Sequence, residues 1–200
     1  MRGVQIPLRA GTQGAVQRIM NKTSSFTCVS SLLFLAAMSC HTAPKTAEGK
    51  ADLEANASMA LSRAKTADPT IARLINDAPG YAVFPTVGKG AVGVGGAYGK
   101  GVLYERDAIV GYCDLSQASI GLQLGGQSYT EILVFQNGDA IREFKNEKFA
   151  FDAQATAVAL KSGTAANANY SRGVAVFTMD EAGLMFEASV GGQKFTYQPK

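Results

Sequence analysis

Few residues of this 200-residue chain have side chains suited to catalysis. His41 is its one histidine, and its three cysteines are Cys28, Cys40 and Cys113. Because His41 lies in a polar stretch beside Cys40, we expect no Ser-His-Asp or Cys-His arrangement and no histidine-based metal site. The acidic residues are scattered, and no pair stands out by spacing. The sequence therefore predicts neither enzyme activity nor a metal or other cofactor.

Cys40 has the surroundings of a thiol that is acylated during export. An apolar run, interrupted only by Thr, Cys and Ser, extends from Phe26 to Met38. It has the length of a signal-peptide core and is too short to cross a bilayer comfortably. The run ends in Leu35-Ala-Ala-Met-Ser-Cys40, which looks like the lipobox of bacterial lipoproteins, although Ala37 replaces the usual Leu. The thioether to diacylglycerol would form on the Cys40 sulfur.

We predict a lipoprotein signal peptide over residues 1–39 and a polar tether over residues 40–50. Met20 is followed by Asn and Lys, as at the start of a conventional leader, so we expect translation to begin there. The alternatives are an ordinary signal peptide and an N-terminal anchor helix. His41 follows the acylated cysteine where Asp would favour inner-membrane retention. We therefore expect the protein at the periplasmic face of the outer membrane.

Removing the leader changes the charge of the protein. The whole chain has 19 basic and 16 acidic residues, and no Asp or Glu precedes Cys40. Without the four basic residues of the leader, 15 basic and 16 acidic residues remain. A nearly neutral domain lacks the dense basic surface that nucleic acids require. Cys113 would then be the last free thiol, and its apolar neighbours indicate a small core residue.

Glycine is concentrated in one segment. Seven glycines fall within fourteen residues, at Gly88, Gly90, Gly93, Gly95, Gly96, Gly99 and Gly101. The first three match the G-x-G-x-x-G pattern of dinucleotide-binding turns, but the residues that follow them are poor helix formers. Gly99-Lys100 also fails as a phosphate-binding loop, because Gly101 stands where Ser or Thr is needed. Two interpretations remain: a sharply bent, tightly packed strand pair, or a binding surface.

Several basic residues lie near the predicted turns or the glycine segment. Most such side chains are simply solvated. Alternatively, some of them bind lipid headgroup phosphates beside open backbone N–H groups. The candidates are Lys89, Lys100, Arg106 and Arg172, with Arg142 as a further basic residue near a turn.

The rest of the chain, residues 51–200, predicts one α+β domain. Helical periodicity runs from Ala51 to Lys65, and Asp68-Pro69 would begin a second helix that Pro79-Gly80 ends. Strands follow, one of them with Pro85 inside, which favours an edge or bent strand. We expect two N-terminal helices packed on a strongly curved or barrel-like, mostly antiparallel sheet.

Shorter signals refine this pattern. Ile120 to Gly125 alternates like a strand, and Ile132 to Phe135 is continuously apolar, as in a strand buried on both faces. Residues 140–145 can form one or two helical turns. The segments from Val174 to Phe177 and from Leu184 to Val190 suggest a hairpin.

Several motifs in order resemble the SYLF domain family. Tyr81 to Leu103 contains apolar-Phe-Pro followed by the glycine-rich stretch with Gly-Gly-Ala-Tyr-Gly-Lys-Gly. Ser119 to Ser128 is similar to the family's Gly-Leu-Gln-x-Gly-x-Gln-Ser element, and Ile132 to Phe135 also fits. Gly191 to Tyr197 is similar to the ending of its bacterial lipoprotein branch. The resemblance covers about residues 50–200.

The resemblance implies a lipid-binding module. Eukaryotic relatives bind phosphoinositides, and fungal ones also bind actin, which an exported bacterial protein would not meet. We therefore expect an anchored lipoprotein whose domain binds membrane phospholipid or anionic headgroups. The alternative is a non-catalytic envelope protein whose sheet binds a protein partner, and an enzyme acting on lipid or peptidoglycan is a third, weaker hypothesis.

Overall fold

A computed structural model describes residues 44–92, 94–120, 127–147, 149, 156–180, 187–189 and 192–200. Residues His41–Lys200 form one compact unit. Its helices are α1 (Ala47–Ala67), α2 (Thr70–Asp77) and α3 (Gly138–Lys145). The strands are β1 (Gly80–Val92), β2 (Val94–Glu105), β3 (Ala108–Ile120), β4 (Gln127–Phe135), β5 (Thr156–Ala159), β6 (Val174–Asp180), β7 (Glu187–Ser189) and β8 (Gln193–Pro199). The α+β prediction is confirmed.

The two N-terminal helices begin where polar side chains can satisfy free backbone N–H groups. Thr46 accepts a hydrogen bond from the Gly49 amide at the start of α1. Asp68 accepts one from the Thr70 amide at the start of α2, so its predicted capping role is confirmed. The same carboxylate accepts from the Gly163 and Ala165 amides. Asp68 therefore holds the α1–α2 junction against the chain that precedes β6.

The sheet has eight strands in the order β7-β5-β6-β4-β1-β2-β3-β8. All its pairings are antiparallel except that of β5 with β6. The predicted hairpin between residues 174–177 and 184–190 is wrong, because β7 pairs with β5 and not with β6. Within the described residues β7 and β8 do not pair with each other, so the barrel-like form of the prediction is not supported.

The sheet is nevertheless strongly curved. Strands β4 and β8 are four positions apart, which is about 19 Å across a flat sheet. Yet Gln193 Nε2 on β8 donates to Glu131 Oε2 on β4 over 3.0 Å. Two side chains of this size can meet only if the sheet curls, so that the inward sides of β4 and β8 face each other. We call this inward side the concave face.

Each face of the sheet carries its own hydrophobic core. Helices α1 and α2 pack on the convex face, against residues such as Val83, Val102 and Ile132. Helix α3 packs on the concave face, where Phe84, Phe135, Phe144, Phe149 and Phe195 form an aromatic cluster. Alternate residues of Ile132 to Phe135 enter the two cores, as predicted for a strand buried on both faces.

Pro85 lies in the middle of the sheet, so of the two predicted alternatives the edge strand is wrong and the bent strand is confirmed. Strand β1 is paired on both sides, with β2 and with β4. The register with each partner shifts around Phe84 to Val87, which is a β-bulge. A bulge tolerates a residue that lacks an amide proton. The Pro85 carbonyl accepts a hydrogen bond from Thr130 Oγ1 at 2.8 Å.

Candidate functional site

The cations predicted to bind headgroups do not form one site. Lys89 is paired with Ala97, a residue of the concave-face core. Lys100 lies two positions from Val102, which packs into the convex-face core. Because side chains alternate along a strand and paired residues share a face, Lys89 and Lys100 lie on opposite faces.

Arg106 and Arg172 lie elsewhere. Arg106 is in the β2–β3 turn, with a φ of 49° and an exposed side chain. Arg172 forms an ion pair of 2.9 Å with Glu143 and lies 5.3 Å over the Phe149 ring. It ties α3 to the segment before β6, so it has a structural role.

The structure instead brings Arg106 together with Arg142 and Lys145 of α3. All three line a groove of about 460 Å³ between the β2–β3 turn and α3. Its other lining residues are Pro79, Glu105, Val110, Gly138 and Ile141. We call this surface the basic groove.

The cations of the basic groove differ in how they are neutralised. Lys145 is 2.6 Å from Glu105, and Arg142 forms an exposed ion pair with Asp139. Arg106 has no ion pair within the part of the chain that the structure describes. A guanidinium without a partner can bind a phosphate or carboxylate through two parallel hydrogen bonds. The groove can therefore accept an anionic group beside an apolar floor.

The glycine segment is explained largely by packing where the structure describes it. A Cβ on Gly101 would lie 2.7 Å from the Phe84 ring and 2.9 Å from the Val83 carbonyl oxygen. One on Gly99 would lie 2.8 Å from Val87. Both glycines therefore make room for the β1 bulge. Gly88 faces open space, with its nearest neighbour 4.0 Å away.

The structure gives less information on why the remaining positions of the segment are glycine. Gly90 and Gly95 are in the backbone pairing of β1 and β2, and Gly96 is partly buried next to the Gln117 carbonyl. Gly93 lies outside the described residues, as do Cys40, His41 and the predicted strand over 121–125. Since β2 continues directly as a strand, the segment has no helix that could bind a dinucleotide phosphate.

A fully buried carboxyl lies on the concave face. Glu131 is 0% exposed and accepts from Gln193, while its Oε1 has no hydrogen-bond partner within the described residues. Burial raises the pKa of Glu131 to about 7, against the opposing effect of hydrogen bonds from Gln193 and Tyr129. The carboxyl is therefore largely neutral below pH 7.

Sequence reasoning missed Glu131 and the combination of the groove cations. A signal for Glu131 exists: it is the one charged residue in the alternating series Tyr129, Glu131, Leu133, Phe135. The groove gives no such signal, because its cations come from a turn and a helix about 36 residues apart. Cys113 is 1% exposed, as predicted for a core residue, and burial raises the pKa of its thiol.

No cluster of three or more His, Cys, Asp or Glu side chains suited to a metal occurs in the described ranges. Among the helices described, none has the length and apolar composition needed to cross a membrane.

These features define an α+β protein with helices on both faces of a curved sheet and a basic groove at one end. Residues 116–199 match the family described as Las17-binding protein actin regulator. This match to the SYLF family confirms the resemblance over residues 116–199. It is also 27% identical over 154 residues to Beta cell expansion factor A of Aeromonas veronii. That match covers 76% of this chain and 59% of the relative, so the chain spans less than two thirds of the relative's length.

Proposed function

We propose that the protein is an envelope lipoprotein, anchored through Cys40, whose SYLF domain binds anionic phospholipid headgroups in the basic groove. The observation that carries the proposal is the exposed Arg106 guanidinium beside Arg142 and Lys145. These cations and the apolar floor of Pro79, Val110 and Ile141 suit a ligand that has an anionic group attached to an apolar part, as a phospholipid does. The sequence motif at Cys40 supports the anchor, and His41 supports outer-membrane sorting.

Anchoring and groove binding would act together. Acyl chains contribute about 0.8 kcal/mol for each buried methylene, and two or more chains hold a protein stably at a membrane. Tethering raises the effective concentration of headgroups around the domain. A groove with weak affinity would then be occupied for much of the time.

Sedimentation of residues 41–200 with vesicles tests the groove separately from the anchor. We expect binding to vesicles with phosphatidylglycerol and weaker binding to pure phosphatidylcholine. Arg106→Gln should reduce the anionic binding about three- to tenfold, since each Lys or Arg near an anionic membrane surface contributes about 1 kcal/mol. Lys194→Gln is the matched control, because it removes one exposed charge from β8 outside the groove. Equal losses in both variants would show only a general charge effect.

Failure to bind any vesicle would contradict lipid binding by the domain. Crosslinking in the native envelope would then test the alternative of a protein partner. One dominant protein adduct would favour that alternative.

A further inference from the structure

The contact between Glu131 and Gln193 links two strands that are not neighbours in the sheet. It joins β4 to β8 directly across the concave face, although three strands separate them. Both side chains are 0% exposed. Backbone pairing attaches β8 to the sheet on one side, through β3. The described part of β8 therefore depends on its side chains for contact with the rest of the concave face.

The aromatic core depends on the same strand. Phe195, two residues after Gln193, lies 5.8 Å from Phe84, 5.2 Å from Phe144 and 6.1 Å from Phe149 between ring centroids. Movement of β8 away from β4 would withdraw Phe195 from this cluster. The concave apolar face would then be exposed to solvent.

The surroundings of Glu131 favour a neutral carboxyl. No basic side chain forms an ion pair with it within the described residues. Tyr129 on its own strand hydrogen bonds to it, and Thr178 is its cross-strand partner on β6. The charged groups of neighbouring strands on this face are Lys89 and Asp180, each more exposed than Glu131. A buried carboxylate without a counter-charge costs more free energy than a neutral carboxyl with the same hydrogen bonds.

We propose that Glu131 is a proton-controlled latch, which holds β8 against β4 while neutral and releases β8 when it ionises. In the closed state the carboxyl is desolvated and retains its proton up to about pH 7, consistent with its raised pKa. In the open state it meets water and titrates as an ordinary carboxyl. Proton loss therefore favours the open state. The latch is independent of the basic groove, so its test does not depend on lipid binding.

Hydrogen exchange of the backbone amides measures the opening. The pKa of Glu131 is about 7 in the closed state and takes the ordinary value of about 4.3 in the open state. The protection factor of β8 should therefore fall roughly 70-fold between pH 5 and pH 8 and level off above about pH 8. Amides of the central strand β1 should stay better protected than those of β8 at every pH, because release of the edge strand requires less free energy than global unfolding. Glu131→Gln keeps the shape without a titratable proton, so its β8 protection should be independent of pH. Asp180→Asn, which removes a more exposed carboxyl on the same face, should retain the wild-type profile.

Three results would overturn the proposal. The first is a wild-type β8 protection factor that changes less than threefold over this range. The second is an unchanged pH profile in Glu131→Gln. The third is a protection factor of β8 equal to that of β1 at every pH, which would show that β8 opens only when the whole domain unfolds. A carbon-13 titration of the Glu131 carboxyl in the unmodified protein gives a further check, and a pKa at or below the ordinary value would contradict the latch.

Discussion

Gly101→Ala tests whether the glycine segment serves packing. The added methyl carbon would lie 2.7 and 2.8 Å from two atoms of the Phe84 ring and 2.9 Å from the Val83 carbonyl oxygen. Phe84 is 0% exposed and packs against Phe195, so its ring cannot turn away without creating a void. The carbonyl cannot move without disturbing the β1–β2 pairing. Overpacking of this kind costs about 1–3 kcal/mol.

Part of that cost is offset, because alanine lowers the entropy of the unfolded chain by about 0.4–1 kcal/mol. We expect a net loss of about 1–2 kcal/mol in the free energy of unfolding, measured by urea titration at constant m value. Gly88→Ala is the matched control in the same segment, since its methyl group would enter open space. It should be neutral or slightly stabilising. A Gly101→Ala protein as stable as the wild type would refute the packing explanation.

Three other changes test the remaining structural claims. Glu131→Gln should raise the free energy of unfolding by about 3 kcal/mol at pH 8 and have little effect below pH 4. The reason is the raised pKa of Glu131, because of which the free energy of unfolding of the wild type is highest at low pH and falls as pH rises to about 7. Urea titrations at both pH values measure this difference, and equal effects at both would contradict it. Asp68→Ala should lower the free energy of unfolding by about 2–4 kcal/mol, because it leaves the buried Ala165 amide and the partly buried Gly163 amide without their acceptor. Thermal unfolding measures this loss, and a loss under about 1 kcal/mol would contradict the role of Asp68. Cys113 should react with a thiol reagent only after unfolding, since it is buried and its pKa is raised; rapid labelling of the native protein would show that the strand is accessible.

Elements with strong local signals were predicted well from sequence. Helix α2 has an apolar stripe and the Asp68 cap, and the Ile132–Phe135 run is continuous, so periodicity and turn chemistry were sufficient. Strand β5 is short, and its small residues give no clear alternation. Its position between β6 and β7 depends on long-range pairing, so the sequence predicted a hairpin where the described strand β7 pairs with β5. The central position of Pro85 was missed because a bulge removes the need for its amide proton.

The candidate sites depended even more on the tertiary structure. The basic groove forms only because α3 returns to the β2–β3 turn, which places Arg142 and Lys145 near Arg106. The Glu131–Gln193 contact requires a sheet curved enough to bring β4 to β8. Local patterns in the sequence indicate neither the return of α3 to the β2–β3 turn nor the curvature of the sheet. The choice of Lys89 and Lys100 as candidate headgroup-binding residues was limited in the same way, since a bulge and the alternation of strand residues decide their faces.

The most direct test of the central claim is sedimentation of residues 41–200 with vesicles that contain phosphatidylglycerol, for the wild type and Arg106→Gln side by side. We predict that the wild-type domain binds, and that the variant binds about three- to tenfold more weakly while its thermal unfolding is unchanged. A folded wild-type domain that stays in the supernatant with every vesicle would contradict lipid binding. Equal binding by both proteins would contradict the basic groove as its site.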